Sequence, residues 1–325
     1  MQYSKHFRDQ LMESKFMENL RNGVVQMDNS EFSYWDGCFN SGLYYGMLKR
    51  VPSRSRAPLA FGAAVHTGLE AFFLGRETWL AEALATAAQE ELDEMGDPKR
   101  NTRVLENLLT SYIMEYSRHR DMTFNIINVG LAKGVEKSFT VPLGSTQVST
   151  QNFGGDIALD IFWDGKIDLI TDYEQAIWPV DHKTTTVMGE KFVDDKVRSS
   201  QMLGYTYATR YLSKTLLNDR PVGGCRINAL AMRSAGFEFK VFDIPYADWK
   251  VAEWQQETIQ AVHDLVAKID RFLSTGEAAP TRQHCVTKYG KCPYFDVCDT
   301  TPNMRDRFIF DENFFYVSNW SPLGE

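Results

Sequence analysis

Residues 164–186 read DGKIDLITDYEQAIWPVDHKTTT, and this stretch decides the fold that the sequence predicts. It contains two short apolar runs, 167–170 and 177–180. Asp168 lies inside the first run, Asp181 follows the second, and Lys183 comes two residues later. Because residues i and i+2 of a strand share one face, Asp181 and Lys183 are predicted to point the same way while His182 points back. Pairing of the two strands would bring Asp168 alongside Asp181.

Two carboxylates and one ammonium in a small space suit phosphoryl chemistry. Hard divalent cations such as Mg²⁺ bind oxygen ligands of this kind. A cation held there can activate water and stabilise the charge of a phosphoryl transition state, with the lysine assisting. For a D-x-K pattern alone, a surface hairpin with an ordinary ion pair is the commoner explanation, so the rest of the chain decides between the two.

Length and composition predict a globular chain of one large domain or two closely packed ones, with 325 residues, 43% hydrophobic and 24% charged. The net charge of −8 argues against a surface that coats nucleic acid as a whole, but it allows a local basic groove. No segment is apolar and long enough to span a membrane, and the first residues, MQYSKHFRDQ, lack the apolar core of a signal peptide. A cytoplasmic location is therefore predicted.

Hydrophobic periodicity predicts a mixture of helices and strands. The helices are expected over 34–48, 61–74, 78–95, 101–120, 199–212 and 247–273, and the further strands over 135–141, 156–163, 226–232 and 237–242. Asp164-Gly165 is interpreted as a hairpin turn that leads into the Asp168 strand. The segment 49–56, KRVPSRSR, is expected to be an exposed basic loop that serves either solubility or phosphate contact.

Two pairs of polar residues lie four apart on predicted helices. Gln201 and Tyr205 share a face and can donate to a phosphate or hold a lysine in place, although a surface pair is the simpler explanation. His66 and Glu70 have the same spacing. A single helical histidine is more often structural than a ligand.

The segment 280–298, PTRQHCVTKYGKCPYFDVC, carries three of the five cysteines, Cys285, Cys292 and Cys298. In a reducing compartment such a cluster favours thiolate ligation of a metal or metal cluster over disulfides. A fourth ligand could be Cys38, Cys225 or His284. Cys225 leads into an apolar strand and is more typical of a buried thiol, so Cys38 is the better candidate.

Read in chain order, these residues resemble the PD-(D/E)XK nuclease superfamily, and within it the RecB-like branch. The resemblance rests on His66, the GKID that contains Asp168, the DHK of 181–183, the Q-x-x-x-Y of Gln201 and Tyr205, and the late cysteines. It runs from about residue 38 to residue 298. It is strongest to members that carry an iron–sulfur cluster, such as the AddB nuclease domain and CRISPR-associated exonucleases.

The resemblance implies an α/β fold, a restriction-endonuclease-like mixed β-sheet core flanked by helices. The N- and C-terminal helical parts would be joined by a metal cluster. It also implies three regions within one compact unit: an N-terminal helical region over 1–134, the nuclease core over 135–245, and a C-terminal helix and cysteine region over 246–325.

The same resemblance implies roles for single residues. His66, Asp168, Asp181 and the backbone carbonyl of His182 would hold Mg²⁺ or Mn²⁺, and Lys183 would be the catalytic lysine. Gln201 and Tyr205 would support the lysine and contact the DNA backbone. A [4Fe–4S] cluster, with zinc as the rival occupant, would be held by Cys38, Cys285, Cys292 and Cys298. The family's late cysteines commonly read C-x2-C-x5-C, whereas six residues separate the first two of them here.

The expected function is that of a metal-dependent DNA exonuclease acting on ends or single strands. Recombination, repair or DNA processing is the expected role, in a phage or CRISPR context. The chain carries no G-x-x-x-x-G-K-[ST] loop, so a helicase or recombination partner protein would supply any unwinding. The alternatives are a non-catalytic DNA-end-binding or scaffolding protein and, with less support, a small-molecule phosphohydrolase.

Overall fold

A mixed β-sheet flanked by helices organises the computed structural model, which describes residues 2–118, 124–278, 281–287 and 290–323. The strand order is β1 (Val24–Asp28), β7 (Gly155–Tyr173), β8 (Ala176–Thr185), β9 (Gly224–Arg233) and β10 (Gly236–Pro245). Strands β3 (Asn125–Ile126) and β6 (Val135–Thr150) also pair with β7. Strand β1 runs parallel to β7, and β9 runs parallel to β8. Strand β8 is antiparallel to β7, and β10 is antiparallel to β9. The predicted α/β fold with a central mixed sheet is therefore confirmed.

The helices and strands have the following bounds. The α-helices are α1 Lys5–Met12, α2 Lys15–Arg21, α3 Asn29–Gly37, α4 Phe39–Gly42, α5 Ala57–Phe73, α6 Trp79–Gln89, α7 Thr102–Arg118, α8 Glu190–Val197, α9 Ser200–Leu216, α10 Asp248–Thr275, α11 Phe295–Cys298 and α12 Pro302–Ile309. The strands are β1 Val24–Asp28, β2 Arg50–Pro52, β3 Asn125–Ile126, β4 Asn128–Val129, β5 Ala132–Lys133, β6 Val135–Thr150, β7 Gly155–Tyr173, β8 Ala176–Thr185, β9 Gly224–Arg233, β10 Gly236–Pro245, β11 Val286–Thr287, β12 Gly290–Lys291 and β13 Phe315–Val317. Within the described ranges, every helix is too short or too polar to cross a bilayer.

The predicted turn at Asp164-Gly165 is wrong, because the single strand β7 runs straight through it. Asp28 of β1 lies opposite Asp164 in the parallel ladder, and Gln26 donates a side-chain hydrogen bond to the Asp164 carboxylate at 2.6 Å. These partners come from a distant part of the chain and hold the segment extended. Asp181 was expected at a strand end, but it lies inside β8.

The single helix predicted over 34–48 is also wrong. Helix α3 ends at Gly37, Cys38 is extended with φ −162°, and a short α4 and a π-helical turn Leu43–Met47 follow. A Cβ atom at Gly42 would collide with the ring of Trp35. Glycine there allows the second helical segment to fold back onto Trp35, which is why the aromatic run does not form one straight helix.

Part of the predicted basic loop is a strand. β2 pairs antiparallel with β13, so the segment 50–52 is held in a two-stranded ribbon. Lys49 forms an ion pair with Glu31 instead of pointing freely into solvent. Arg54 and Arg56 remain exposed.

Two compact units can be distinguished along the chain. The first comprises Met1–Arg54, Thr140–Gly165 and Ala252–Glu325, and the second comprises Ser55–Phe139 and Lys166–Val251. In the first unit the core is rich in aromatic rings, such as Trp163 and Trp254 with centroids 5.2 Å apart. In the second, helices α5 and α7 pack on β8 and β9 through aliphatic side chains such as Leu69, Leu109 and Val180. The division into 1–134, 135–245 and 246–325 stays a prediction.

Candidate active site

Strands β7 and β8 place two acids side by side in the second unit. Leu169 lies opposite Val180 in the antiparallel ladder, so Asp168 and Asp181 occupy the neighbouring positions. The His182 backbone N–H donates to Asp168 Oδ2 at 2.6 Å. Asp168 is 5% exposed and Asp181 is 1% exposed, so two carboxylates are desolvated next to each other.

Lys183 faces the same side of β8 as Asp181, because side chains alternate along a strand. Its Nζ atom lies 2.8 Å from Asp181 Oδ1. Burial lowers the pKa of Lys183, but the negative charges of Asp181 and Asp168 outweigh it and raise that pKa above its ordinary value. The lysine is therefore a cation at neutral pH.

The His182 side chain points to the opposite face and is locked by a network that the sequence did not reveal. Its Nδ1 lies 2.9 Å from Asn228 Nδ2, and Asn228 also donates to the hydroxyl of Tyr112 at 2.7 Å. The imidazole stacks on Phe73 with an interplanar angle of 10°. Burial lowers the pKa of His182 to about 3, so the ring is neutral. These contacts fix the backbone of residue 182, whose carbonyl faces His66.

His66 projects from α5 toward both strands. Its Nε2 lies 3.0 Å from the His182 carbonyl oxygen, and its Nδ1 lies 3.5 Å from Asp168 Oδ1. Burial lowers the pKa of His66, but the charge of Asp168 and the hydrogen bond to it outweigh this effect and raise the pKa to about 9. The imidazolium thus stands between two oxygen atoms that could also bind a cation.

The pKa values of Asp168 and Asp181 are shifted in opposite directions. Burial raises the pKa of Asp168, but the charge of His66 and its hydrogen bond outweigh that effect and hold this pKa well below its usual range. The pKa of Asp181 is raised by burial and by the repulsion of Asp168, in spite of Lys183. Once His66 gives up its proton, two buried carboxylates, a backbone carbonyl and a neutral imidazole form a donor set that suits Mg²⁺ or Mn²⁺.

Sequence reasoning missed one acid of this centre, Glu136. The ligand atoms of His66, Glu136 and Asp168 all lie within 4.8 Å of one another. Lys166 Nζ is 2.7 Å from Glu136 Oε2. Burial and the charge of Asp168 raise the pKa of Glu136 to about 7. No local pattern marks the residue, because one acid at the start of an alternating strand usually faces solvent.

Gln201 and Tyr205 form the predicted pair on α9, which packs on β8 and β9. Gln201 Nε2 donates to the Tyr205 hydroxyl at 3.0 Å. Burial and the charges of Asp181 and Asp168 raise the pKa of Tyr205 well above its ordinary value. Tyr205 is therefore a neutral hydrogen-bonding group within electrostatic reach of both acids. On the same side of the sheet, the Cys225 thiol is fully buried against Met202, as predicted.

The remaining four cysteines belong to the first unit. The Cys292 N–H donates to the Cys285 carbonyl at 2.8 Å across the β11–β12 hairpin, and Cys298 ends α11. Burial, and then the charges of Cys38, Cys292 and Cys285, raise the pKa of Cys298 to about 11. The four thiols therefore share one neighbourhood, and none of them is in a disulfide. Among the described residues, no three of their sulfurs lie within 4.8 Å of one another.

Residues 43–299 match the family model of the PD-(D/E)XK nuclease superfamily, which is most of the chain. The chain belongs to this superfamily. Its nucleases generally use Mg²⁺ or Mn²⁺, and in this PD-(D/E)XK protein the ligand atoms of His66, Glu136 and Asp168 lie close enough together to hold such an ion.

Comparison with individual proteins adds two findings on this PD-(D/E)XK chain. No curated protein matches it. Among solved structures it is similar to the "Crystal structure of SSO0001", with 10% sequence identity over 79% of this chain and 83% of that chain, at a TM-score of 0.24.

The buried neutral His182 should make the stability of the metal-free protein depend on pH. The pKa of His182 is about 3 in the folded protein, whereas the ordinary value of 6.5 applies to the unfolded chain. Between these two pH values, the histidine is protonated in the unfolded chain but not in the folded protein. Stability is complete above pH 6.5 and is lost as the pH falls toward 3. From pH 6.5 to about pH 5, wild type is expected to lose about 2 kcal/mol more unfolding free energy than His182→Gln.

Urea denaturation in EDTA at the two pH values measures this difference. His263→Gln, which removes a histidine with a 37% exposed side chain, is the matched control and should behave like wild type. Parallel pH dependences of wild type and His182→Gln would contradict the burial argument.

Proposed function

We propose that this nuclease is a metal-dependent DNA exonuclease of the RecB-like branch. It would act on DNA ends or single strands in recombination, repair or DNA processing, with a helicase or recombination protein as partner. The observation that carries the proposal is the buried centre in which Asp168 accepts a hydrogen bond from the His182 N–H while Lys183 contacts Asp181. This arrangement supports a site for phosphodiester hydrolysis rather than an ion pair that only stabilises the fold.

The donor set supports a divalent cation as the cofactor. Asp168 and Asp181 offer carboxylate oxygens, and the carbonyl of His182 offers a third oxygen in the direction of His66. Mg²⁺ or Mn²⁺ held there would supply a Lewis acid that activates water and neutralises phosphoryl charge. The Phe73, Asn228 and His182 contacts would keep the carbonyl oxygen in place.

Lys183 would act as a positive charge and not as a base. Its raised pKa keeps the ammonium protonated at neutral pH, so it would orient the attacking water and stabilise the developing negative charge. Tyr205 and Gln201 would support the lysine and contact a DNA phosphate, since their paired polar groups lie on the α9 face toward the acids. The intact set of acids and lysine argues against the alternative of a non-catalytic scaffold.

Incubation of end-labelled linear DNA and covalently closed circular DNA with Mn²⁺ tests the exonuclease proposal. We expect mononucleotides or short products from the linear DNA, while the closed circle stays intact. EDTA should stop the reaction. Nicking or linearisation of the circle would make the protein an endonuclease, and an absence of cleavage with either metal would favour the DNA-end-binding alternative.

We also propose that Cys38, Cys285, Cys292 and Cys298 hold a [4Fe–4S] cluster in the first unit. The mutual effect of these thiols on the pKa of Cys298 supports a shared site. Zinc held by thiolates is the rival occupant.

Cys292→Ala is expected to abolish the brown colour and to destabilise the protein. The cluster would link Cys38 with the C-terminal cysteines and so close a long loop of chain, which reduces the entropy of the unfolded state. After anaerobic purification, an absorption band near about 400 nm should be present in wild type and absent from the variant.

Cys225→Ala is the matched control, because the Cys225 thiol is buried against Met202 of α9 and is not one of the four proposed ligands. It should keep the absorption band. If wild-type protein is colourless and contains zinc, the occupant of the cysteine site is zinc and not an iron–sulfur cluster. A Cys292→Ala protein with unchanged metal content and stability would refute the cysteine site altogether.

A further inference from the structure

Arg305 is a buried cation of the first unit whose hydrogen bonds leave its charge uncompensated. It lies on α12 and is 8% exposed. Its guanidinium donates to the carbonyl oxygens of Gln2 at 3.2 Å and of Thr300 at 3.3 Å, and no carboxylate of the described residues is paired with it. Its Nε is buried without a hydrogen-bond partner in the same part of the chain. Such an arginine destabilises the fold, because burial removes water from the charge and no opposite charge replaces it.

Other residues of the chain show how such a charge is usually compensated. Arg226 is buried to a similar degree, at 5% exposure, and its Nε lies 2.7 Å from the Asp243 carboxylate. Asp306 follows Arg305 in the sequence, but its carboxylate accepts a hydrogen bond from the Ser4 hydroxyl. The counter-charge of Arg305 is therefore expected to come from a bound group.

Two tyrosines connect Arg305 with the cysteines of the first unit. The Arg305 guanidinium carbon is 5.9 Å from the centre of the Tyr3 ring, and the Tyr3 and Tyr44 hydroxyl oxygens are 2.7 Å apart. Tyr44 also forms a side-chain hydrogen bond with Cys298. Burial and the charges of Tyr3 and Cys298 raise the pKa of Tyr44, whereas the charge of Arg305 lowers it. Arg305 and Cys298 thus act electrostatically on the same tyrosine with opposite sign.

We propose that Arg305 is the charge partner of the metal–thiolate centre formed by Cys38, Cys285, Cys292 and Cys298. The inference rests on the proposed cysteine site, and it adds a residue that binds no metal but stabilises the occupied state. Four thiolates outweigh the positive charge of a zinc ion or of an oxidised iron–sulfur core, so the occupied site is an anion. Since charges interact strongly through a low-dielectric interior, Arg305 acts on this anion without touching a sulfur.

The rate at which metal is lost to excess chelator is the first measurement. It uses the full chain, purified anaerobically with its metal, and follows the iron and zinc content of the protein. Arg305→Gln removes the charge but keeps N–H donors for the carbonyl oxygens, and it should lose metal at least about tenfold faster than wild type. Arg305→Lys keeps the charge without the planar fork, and it should stay within a few fold of wild type.

Arg307→Gln is the matched control. Arg307 lies two residues further along α12 and is exposed, so this substitution removes the same charge from the surface. It should lose metal at the wild-type rate. Equal rates for Arg305→Gln and Arg307→Gln would overturn the charge partner. So would faster loss from Arg305→Lys than from Arg305→Gln, because that order indicates a role in hydrogen bonding alone.

Thermal unfolding with and without bound metal is a second measurement, which separates charge compensation from packing. Without metal, Arg305 is an uncompensated buried charge, so Arg305→Gln should unfold at or above the wild-type temperature. With metal bound, the variant should unfold below wild type. Equal destabilisation of the variant in both states would contradict the inference.

The same measurements separate this inference from the proposed cysteine site. Bound metal in wild type, with unchanged metal loss in Arg305→Gln, would overturn the charge partner and leave the site standing. Zinc in place of iron would change the proposed occupant, while faster zinc loss from Arg305→Gln would still support the charge partner. Wild type without bound iron or zinc would refute both.

Discussion

Lys183→Ala is expected to lower the rate of DNA cleavage on the order of a thousandfold while DNA binding stays close to wild type. Lys183 is the protonated group nearest Asp181, with Nζ 2.8 Å from the carboxylate. Removing it takes away positive charge where the transition state becomes more negative, but it leaves in place Gln201 and Tyr205 of α9, which we propose to contact a DNA phosphate. Single-turnover cleavage of end-labelled DNA with Mn²⁺ and a filter-binding assay in Ca²⁺ measure the two effects separately.

Lys214→Ala provides the control for this prediction. Lys214 is exposed near the C-terminal end of α9, so the substitution removes the same charge from the surface and should leave both measurements unchanged. Cleavage by Lys183→Ala within a few fold of wild type would mean that the lysine only neutralises Asp181.

Asp168→Asn is expected to abolish cleavage and to weaken Mn²⁺ binding at least about a hundredfold. Asp168 is buried, contacts His66 and accepts the His182 N–H, so an amide can occupy the same space and keep that hydrogen bond. The variant should therefore fold, while the charge that attracts the cation is gone. Isothermal titration with Mn²⁺ and a thermal unfolding curve distinguish lost binding from lost structure.

Asp172→Asn is the corresponding control on the same strand. Asp172 lies four residues further along β7 and pairs with Arg220 at 2.6 Å, outside the acids around His182. It should bind Mn²⁺ and cleave DNA like wild type. Equal Mn²⁺ affinities for Asp168→Asn and Asp172→Asn would place the cation elsewhere in the protein.

Sequence spacing predicted those contacts of the site that form within a single strand or a single helix. The i, i+2 relation of Asp181 and Lys183 follows from strand geometry, and the two groups are in contact. The i, i+4 relation of Gln201 and Tyr205 follows from helix geometry, and these two are hydrogen-bonded. The placement of Asp168 beside Asp181 followed from one further assumption, that their strands pair.

Features that depend on distant partners were missed. The Asp-Gly pair at 164–165 is a local turn signal, but the parallel ladder with Asp28 keeps it extended. Glu136 joins His66 only through the packing of α5 against the sheet and through an unusual φ angle, neither of which a single sequence encodes in a recognisable pattern. The break at Cys38 likewise depends on how Trp35 packs against the glycines that follow.

Anomalous diffraction from crystals grown with Mn²⁺ tests most directly whether Asp168 and Asp181 hold the cation. The predicted result is a strong Mn²⁺ peak between these two carboxylates and the His182 carbonyl oxygen, with Lys183 next to it. A peak confined to other residues, or no peak near Asp168 in protein that cleaves DNA with Mn²⁺, would contradict the proposed centre.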